Sequence, residues 1–159
     1  AILWFYKKCY PIILKKVPNV SLIIAGTSPS KELINLRSKR IKVTGYVDSL
    51  SELISQSTLS IAPMQSGSGM QNKILEAMSC EVPVVTTKIG LGSIDIQHLG
   101  EIIVEDNSSK FADYVIDILL NPDSYNTLTK RARNFVIKHH SWDSHVSNLL
   151  IEYQNAIKK

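Results

Sequence analysis

Gly67, Ser68 and Gly69 stand directly before a helical pattern that runs from about Met70 and carries Asn72, Lys73 and Glu76, all within "SGSGMQNKILEAMSCEVPVVTT" (66–87). Glycine lets a backbone approach an anion closely, and the first amides of a helix are unpaired donors at the positive end of its dipole. A junction of this composition is a natural seat for phosphate. At about 100° per residue, Ile74, Leu75 and Met78 fall on one apolar face, while Asn72, Glu76 and Ser79 share the other side. The Glu76 carboxylate is thereby directed to the loop side, where it can accept two hydrogen bonds from vicinal hydroxyls such as those of a ribose. Spacing alone leaves a second reading open: a plain connector, with Lys73 and Glu76 as a solvent-exposed i,i+3 pair worth about 0.2–0.5 kcal/mol.

The elements that must position this junction are short apolar runs alternating with helical patterns. Residues 2–16 have the apolar density of a helix that Pro11 should kink, because its nitrogen donates nothing and its ring crowds the carbonyl of Lys7. "VSLIIAG" (20–26) reads as a fully buried strand ending in Gly26, "SPSKELINLRS" as a short helix opened near Ser28 and Pro29, and "IKVTG" (41–45) as another strand. Asp48 caps the next helix, and "TLSIAP" (58–63) is the strand that leads into the glycine loop. "PVVTT" (83–87) and "EIIVED" (101–106) supply two more. Ser108 or Ser109 caps "KFADYVIDILL", Pro122 starts a helix, and Ser141 opens a last one through Tyr153. Strands apolar on both faces that alternate with helices imply a Rossmann-like, three-layer α/β/α domain with a mainly parallel sheet of about five strands over 1–159. In such sheets ligands sit at the carboxyl ends of the strands, which is where the glycine loop falls.

Composition narrows the function classes. With 159 residues, 44% hydrophobic and 20% charged, the chain has the profile of one ordinary soluble α/β domain. No apolar run approaches the roughly 18 residues of a membrane span, and lysines interrupt the N-terminal apolar stretches, so a cytoplasmic protein is expected. Cys9 and Cys80 are far apart and lack the paired spacing of a zinc site; both are read as reduced packing residues. No metal ligand set is assigned. The net charge of +4 is modest and the basic residues lack interleaved aromatics, which argues against nucleic acid as a partner.

"GSGMQNKILEAMSCEVPVVTT", preceded by "TGYVDSLSELISQSTLSIAP" and followed by "FADYVIDILLNPDSYNTLTKRARNFVIKHHSW", resembles the C-terminal, donor-binding domain of retaining GT-B glycosyltransferases of the group 1 type. The resemblance extends over essentially the whole chain, and its most specific piece is the "LEAM" helix followed two residues later by the "PVV" strand. It implies that Glu76 holds the donor ribose. It also implies that Gly67, Ser68, Gly69, Met70 and Gln71 contact the diphosphate and the transferred sugar through backbone amides, and that Tyr46 and Val47 lie beside the base. The implied reaction is glycosyl transfer with retention, as in polysaccharide or glycoconjugate synthesis, with the leaving diphosphate stabilised electrostatically rather than by a metal and with no cofactor.

Three departures qualify the resemblance. Ser68 stands where the family's first glutamate is usual, so Asn72 and Lys73 are expected to take over part of the polar work, as in a similar subgroup with "GTG" and "NK". Glu81 stands where glycine is common at the end of the helix. The family's first strand, which supplies an arginine and a lysine to the pyrophosphate, would lie between strands 20–25 and 58–63 and is missing here. Its loss would leave unpaired backbone groups, so either the sheet closes up or another chain fills the gap, with self-association as one outcome. The chain is expected to be a fragment, incompetent for transfer by itself, that meets an acceptor sugar or lipid-linked glycan through an N-terminal domain outside these residues. Weak attachment of the parent enzyme to the inner membrane face is a further implication of the resemblance. A non-catalytic nucleotide- or protein-binding module is the alternative. A flavodoxin-like signalling domain is disfavoured because the strand ends lack an acidic cluster. His139 and His140, about 100° apart on a helix, read as a helix end, and Trp4, Phe5 and Tyr6 as core.

Overall fold

A computed structural model describes residues 1–157 apart from Ser68, Gln97 and Leu99. In chain order the elements are α1 (Ile2–Lys8), α2 (Tyr10–Lys16), β1 (Leu22–Ala25), α3 (Lys31–Ile34), β2 (Ile41–Gly45), α4 (Leu50–Ser55) and β3 (Ser60–Ala62). There follow α5 (Asn72–Ser79), β4 (Val84–Thr86), α6 (Lys88–Leu91), β5 (Ile103–Val104), α7 (Ser108–Leu120), a 3₁₀ turn (Pro122–Tyr125), α8 (Asn126–His140) and α9 (Trp142–Ile157). Pro11 lies in the first turn of α2, where its missing N–H is not needed. The expected kink is therefore a break at Cys9, whose carbonyl accepts from both Ile12 and Ile13.

Every strand pairing is parallel. β1 pairs with β2, and β4 lies between β3 and β5. The single sheet expected from the alternation is thus present as two pieces, with β1 and β3 unpaired to each other. Between them runs a slot of about 630 Å³, flanked by β1 and β3 and lined also by Phe5, Ile13, Leu53 and Val115 from α1, α2, α4 and α7. Of the two outcomes considered for a missing central strand, the sheet has not closed up. This also corrects the expectation that strand 20–26 is fully buried: Ile24 is buried, but Ile23 and Ala25 are exposed because the edge of β1 faces the slot. β4, with a neighbour on each side, is buried at every residue.

The core has two parts. One gathers Phe5, Ile13, Val43, Phe111 and Ile118 under α1, α2 and α7, and Trp4 meets Phe111 edge-on at 5.8 Å. The other packs Ile74 and Met78 of α5 against Val84, Ile102 and Ala132. Several helix starts move by one or two residues from their expected places. Ser30, not Ser28, caps α3; Ser49, not Asp48, caps α4 through the Glu52 amide; and Asn107 caps α7, accepting from the Ser109 and Lys110 amides. The cap must be extended while its side chain reaches back, and these three residues have that backbone, whereas Ser28 sits at φ 50°. His139 and His140 close α8, packed on Phe135.

Candidate functional site

β3 delivers the chain through Pro63 and Met64 into the glycine loop. Gly67 and Gly69 adopt positive φ, 137° and 74°, as the close backbone turn requires. Ser68 lies outside the described residues. The helix begins at Asn72, two residues later than the expected Met70, with Gln71 as an extended N-cap that makes no side-chain capping bond. Among the described residues no side chain accepts from the first-turn amides of α5, at the positive end of the helix; the Ile74 amide bonds back to the Gln71 carbonyl at 2.9 Å.

Met70, Gln71, Asn72 and Lys73 follow in that turn, and Glu76 comes one turn further on. The apolar face holds as expected, with Ile74 and Met78 buried, joined by Ala77, while Leu75 is half-buried. Glu76 is exposed, and its carboxylate makes no ion pair or hydrogen bond among the described residues. The Lys73–Glu76 pair of the plain-connector reading does not form: Lys73 Nζ lies 3.3 Å from Met64 Sδ. Tyr46 and Val47 stand apart from this group, just past the carboxyl end of β2 in the other half of the sheet. Tyr46 is 73% exposed and Val47 half-buried.

Helix α6, absent from the expected elements, buttresses the loop. Thr87 is its N-cap, accepting from the Gly90 amide at 3.1 Å while donating to the Met64 carbonyl at 2.6 Å. Thr86 donates to the Ala62 carbonyl at 2.9 Å. A Cβ on Gly92 would stand 2.2 Å from the Gly69 carbonyl oxygen, so only glycine permits this approach of α6 to the loop. Lys88 donates its backbone N–H to Asp106 Oδ1 at 2.9 Å, which ties the start of α6 to the segment that follows β5. These positioning residues were missed in the sequence, although "TTKIGLG" carries the signal: a Thr cap three residues before a glycine, with a second glycine two further on.

The far end of α5 explains Glu81. Val82 N–H bonds to the Ala77 carbonyl and Glu81 N–H to the Met78 carbonyl, the paired bonds of a Schellman ending. Glu81 takes the left-handed position at φ 57°, where glycine is the easy choice, and its carboxylate meets Arg133 Nη1 at 3.6 Å. The adverse charge at the helix end thus has a partner. Elsewhere, burial pushes the Cys9 thiol up to about 12, in keeping with a packing role, and His98 accepts from the Val104 amide through Nδ1.

Residues 1–121 match the family described as Glycosyl transferases group 1. The chain belongs to that family. A relative in sequence is an uncharacterized 44.6 kDa protein in the cps region of Klebsiella pneumoniae, 23% identical over 145 aligned residues, with 86% of this chain and 37% of that protein covered. Among solved structures, Anabaena Alr3699/HepE in complex with UDP superimposes with a TM-score of 0.71 at 20% identity, over 94% of this chain and 45% of its own. The C-terminal domain of the group 1 protein LpcC from Francisella tularensis gives 0.71 at 15% identity, over 88% of this chain and 80% of that domain. Pneumococcal O-GlcNAc transferase GtfA, in complex with UDP and GlcNAc, gives 0.72 at 14% identity over 98% of this chain and 32% of its own. The fold is therefore that of a GT-B C-terminal domain, and the chain spans less than half the length of the Klebsiella and Anabaena relatives.

Proposed function

We propose that this domain holds the nucleotide-diphosphate sugar of a retaining glycosyl transfer. The observation that carries the proposal is the exposed, unpaired Glu76 carboxylate one turn into a helix whose uncapped start follows the glycine loop. Glu76 takes the ribose hydroxyls. The backbone from Gly67 through Gln71 takes the diphosphate and sugar, with Ser68 assigned by position alone, and Asn72 and Lys73 supply the polar contacts that an acid at position 68 would make. Tyr46 and Val47 take the base. The leaving diphosphate is stabilised by helix amides rather than by a metal ion. UDP in the Anabaena and pneumococcal structures supports a uridine nucleotide as the first ligand to try.

The parent enzyme is proposed to act in the cytoplasm, attached weakly to the inner membrane face, on an acceptor sugar or lipid-linked glycan held by a further N-terminal domain. The relative in a cps region supports polysaccharide synthesis as the setting. Calorimetric titration with UDP, GDP and ADP tests the donor site. One nucleotide should bind, and Glu76→Ala should weaken it by about 1.5–3 kcal/mol, the range for hydrogen bonds to a charged group. No binding by a folded chain, or equal binding by the variant, overturns the assignment.

The open slot favours a second reading, a non-catalytic module that pairs with another chain, a second copy included, through the free edges of β1 and β3. Consumption of a nucleotide sugar by this domain joined to an acceptor-binding domain decides between the two.

A further inference from the structure

From the start of β3 to the end of α6, the stretch that forms and buttresses the glycine loop, the cations are Lys73 and Lys88. Their partners differ. Lys88 Nζ lies 3.9 Å from Asp106 Oδ2, whereas Lys73 makes no ion pair among the described residues and sets its Nζ 3.3 Å from Met64 Sδ. A thioether is a weak and neutral acceptor. It orients an ammonium without cancelling its charge, as a carboxylate in the same place would do.

Met64 is itself fixed from several sides. Its amide donates to the Ala62 carbonyl at 2.8 Å, directly after β3, and its carbonyl accepts from Thr87 at the start of α6. The half-buried side chain lies against both glycine turns: a Cβ on Gly67 would stand 3.6 Å from Met64 Cε, and one on Gly90 3.3 Å from Met64 Cγ. The sulfur therefore occupies a defined place between the glycine loop and α6. Met64 and Lys73 both line the slot, so the ammonium is drawn back to the carboxyl end of β3 and away from Glu76.

We propose that Met64 is a positioning residue of the donor site, whose thioether holds the Lys73 ammonium, charged and without an acidic partner, for the phosphate oxygens of a nucleotide-diphosphate donor. The proposal rests on the reading of the glycine loop as the donor seat. Without the sulfur, Lys73 is free to turn to Glu76 at i,i+3 or to spread over many rotamers. The first outcome would occupy the carboxylate that takes the ribose, and both would weaken the positive field at the loop.

A double-mutant cycle tests this, read by calorimetric titration with whichever of UDP, GDP and ADP the parent chain binds. Met64→Leu nearly conserves side-chain volume, so the chain stays folded, and it should weaken the nucleotide about threefold or more. Lys73→Ala should weaken it about tenfold, and the double variant no further than Lys73→Ala alone, because Met64 acts through Lys73. A purely structural role for Met64 would make the two losses add. In the free chain, with no nucleotide present, Lys73→Ala should shift the carbon-13 methyl resonance of Met64. Additive losses, unchanged affinity in Met64→Leu, or an unmoved Met64 methyl resonance would each overturn the proposal and leave the donor reading standing. Failure of the folded parent chain to bind any of the three nucleotides overturns both.

Discussion

The two halves of the sheet are built from equally apolar strands and have different fates. "VVT" of β4 is buried at every residue, whereas "LIIA" of β1 is buried only at Ile24. β4 has a strand on each side, and β1 borders the slot with one edge. The turns at the strand ends differ in the same sense. A Cβ on Gly90, after β4, would stand 2.2 Å from Thr86 Oγ1 and 2.7 Å from the Ala62 carbonyl, while one on Gly45, the last residue of β2, would meet nothing within 4 Å. The half that carries the glycine loop is locked; the half that carries Tyr46 is open. Burial is decided by neighbours, and the hydrophobicity of a strand states only what it could bury.

Paired substitutions test that contrast. Ile103→Ala, at a fully buried position in β5, should cost about 2–5 kcal/mol, and Ile23→Ala, beside the slot, less than about 1 kcal/mol, as read by urea unfolding. Equal losses would mean that β1 is as buried in solution as β5. Next in size, Gly90→Ala should cost about 1–3 kcal/mol because the methyl meets backbone and the bonded Thr86 hydroxyl, and it should also weaken nucleotide binding by displacing the loop. Gly45→Ala meets open space and should cost only about 1 kcal/mol, from its φ of 75°. A Gly45→Ala loss as large as that of Gly90→Ala would break the contrast between the two ends.

The smallest effect has the opposite sign. Glu81→Gly should stabilise the chain by about 0.5–1 kcal/mol, since relief of the left-handed position exceeds the loss of an exposed pair with Arg133. A lower melting temperature in the variant would show that the ion pair, not the backbone, dominates the end of α5.

Much of the locked half was legible because its signals are local. The periodicity of Ile74 and Met78, the exposed position of Glu76 and the positive φ of the glycines all follow from a few adjacent residues. Helix starts were legible only to within two residues, because a neighbouring Ser, Asp or Asn can serve as cap and the backbone angle selects among them. Helix α6 escaped notice as a four-residue element without an apolar period of its own, held by contacts to Met64 and Gly69 that come from far earlier in the chain.

Sequence alone determined the strand and helix alternation, the parallel pairing class and the carboxylate presented at Glu76, because each rests on side-chain period, cap chemistry and short connections. Only the tertiary structure decided that the sheet stands in two pieces, that Thr87 and Gly92 hold the glycine loop, and that Lys73 meets Met64 rather than Glu76. Those outcomes depend on which edges find partners and which distant surfaces meet, and no local spacing encodes either.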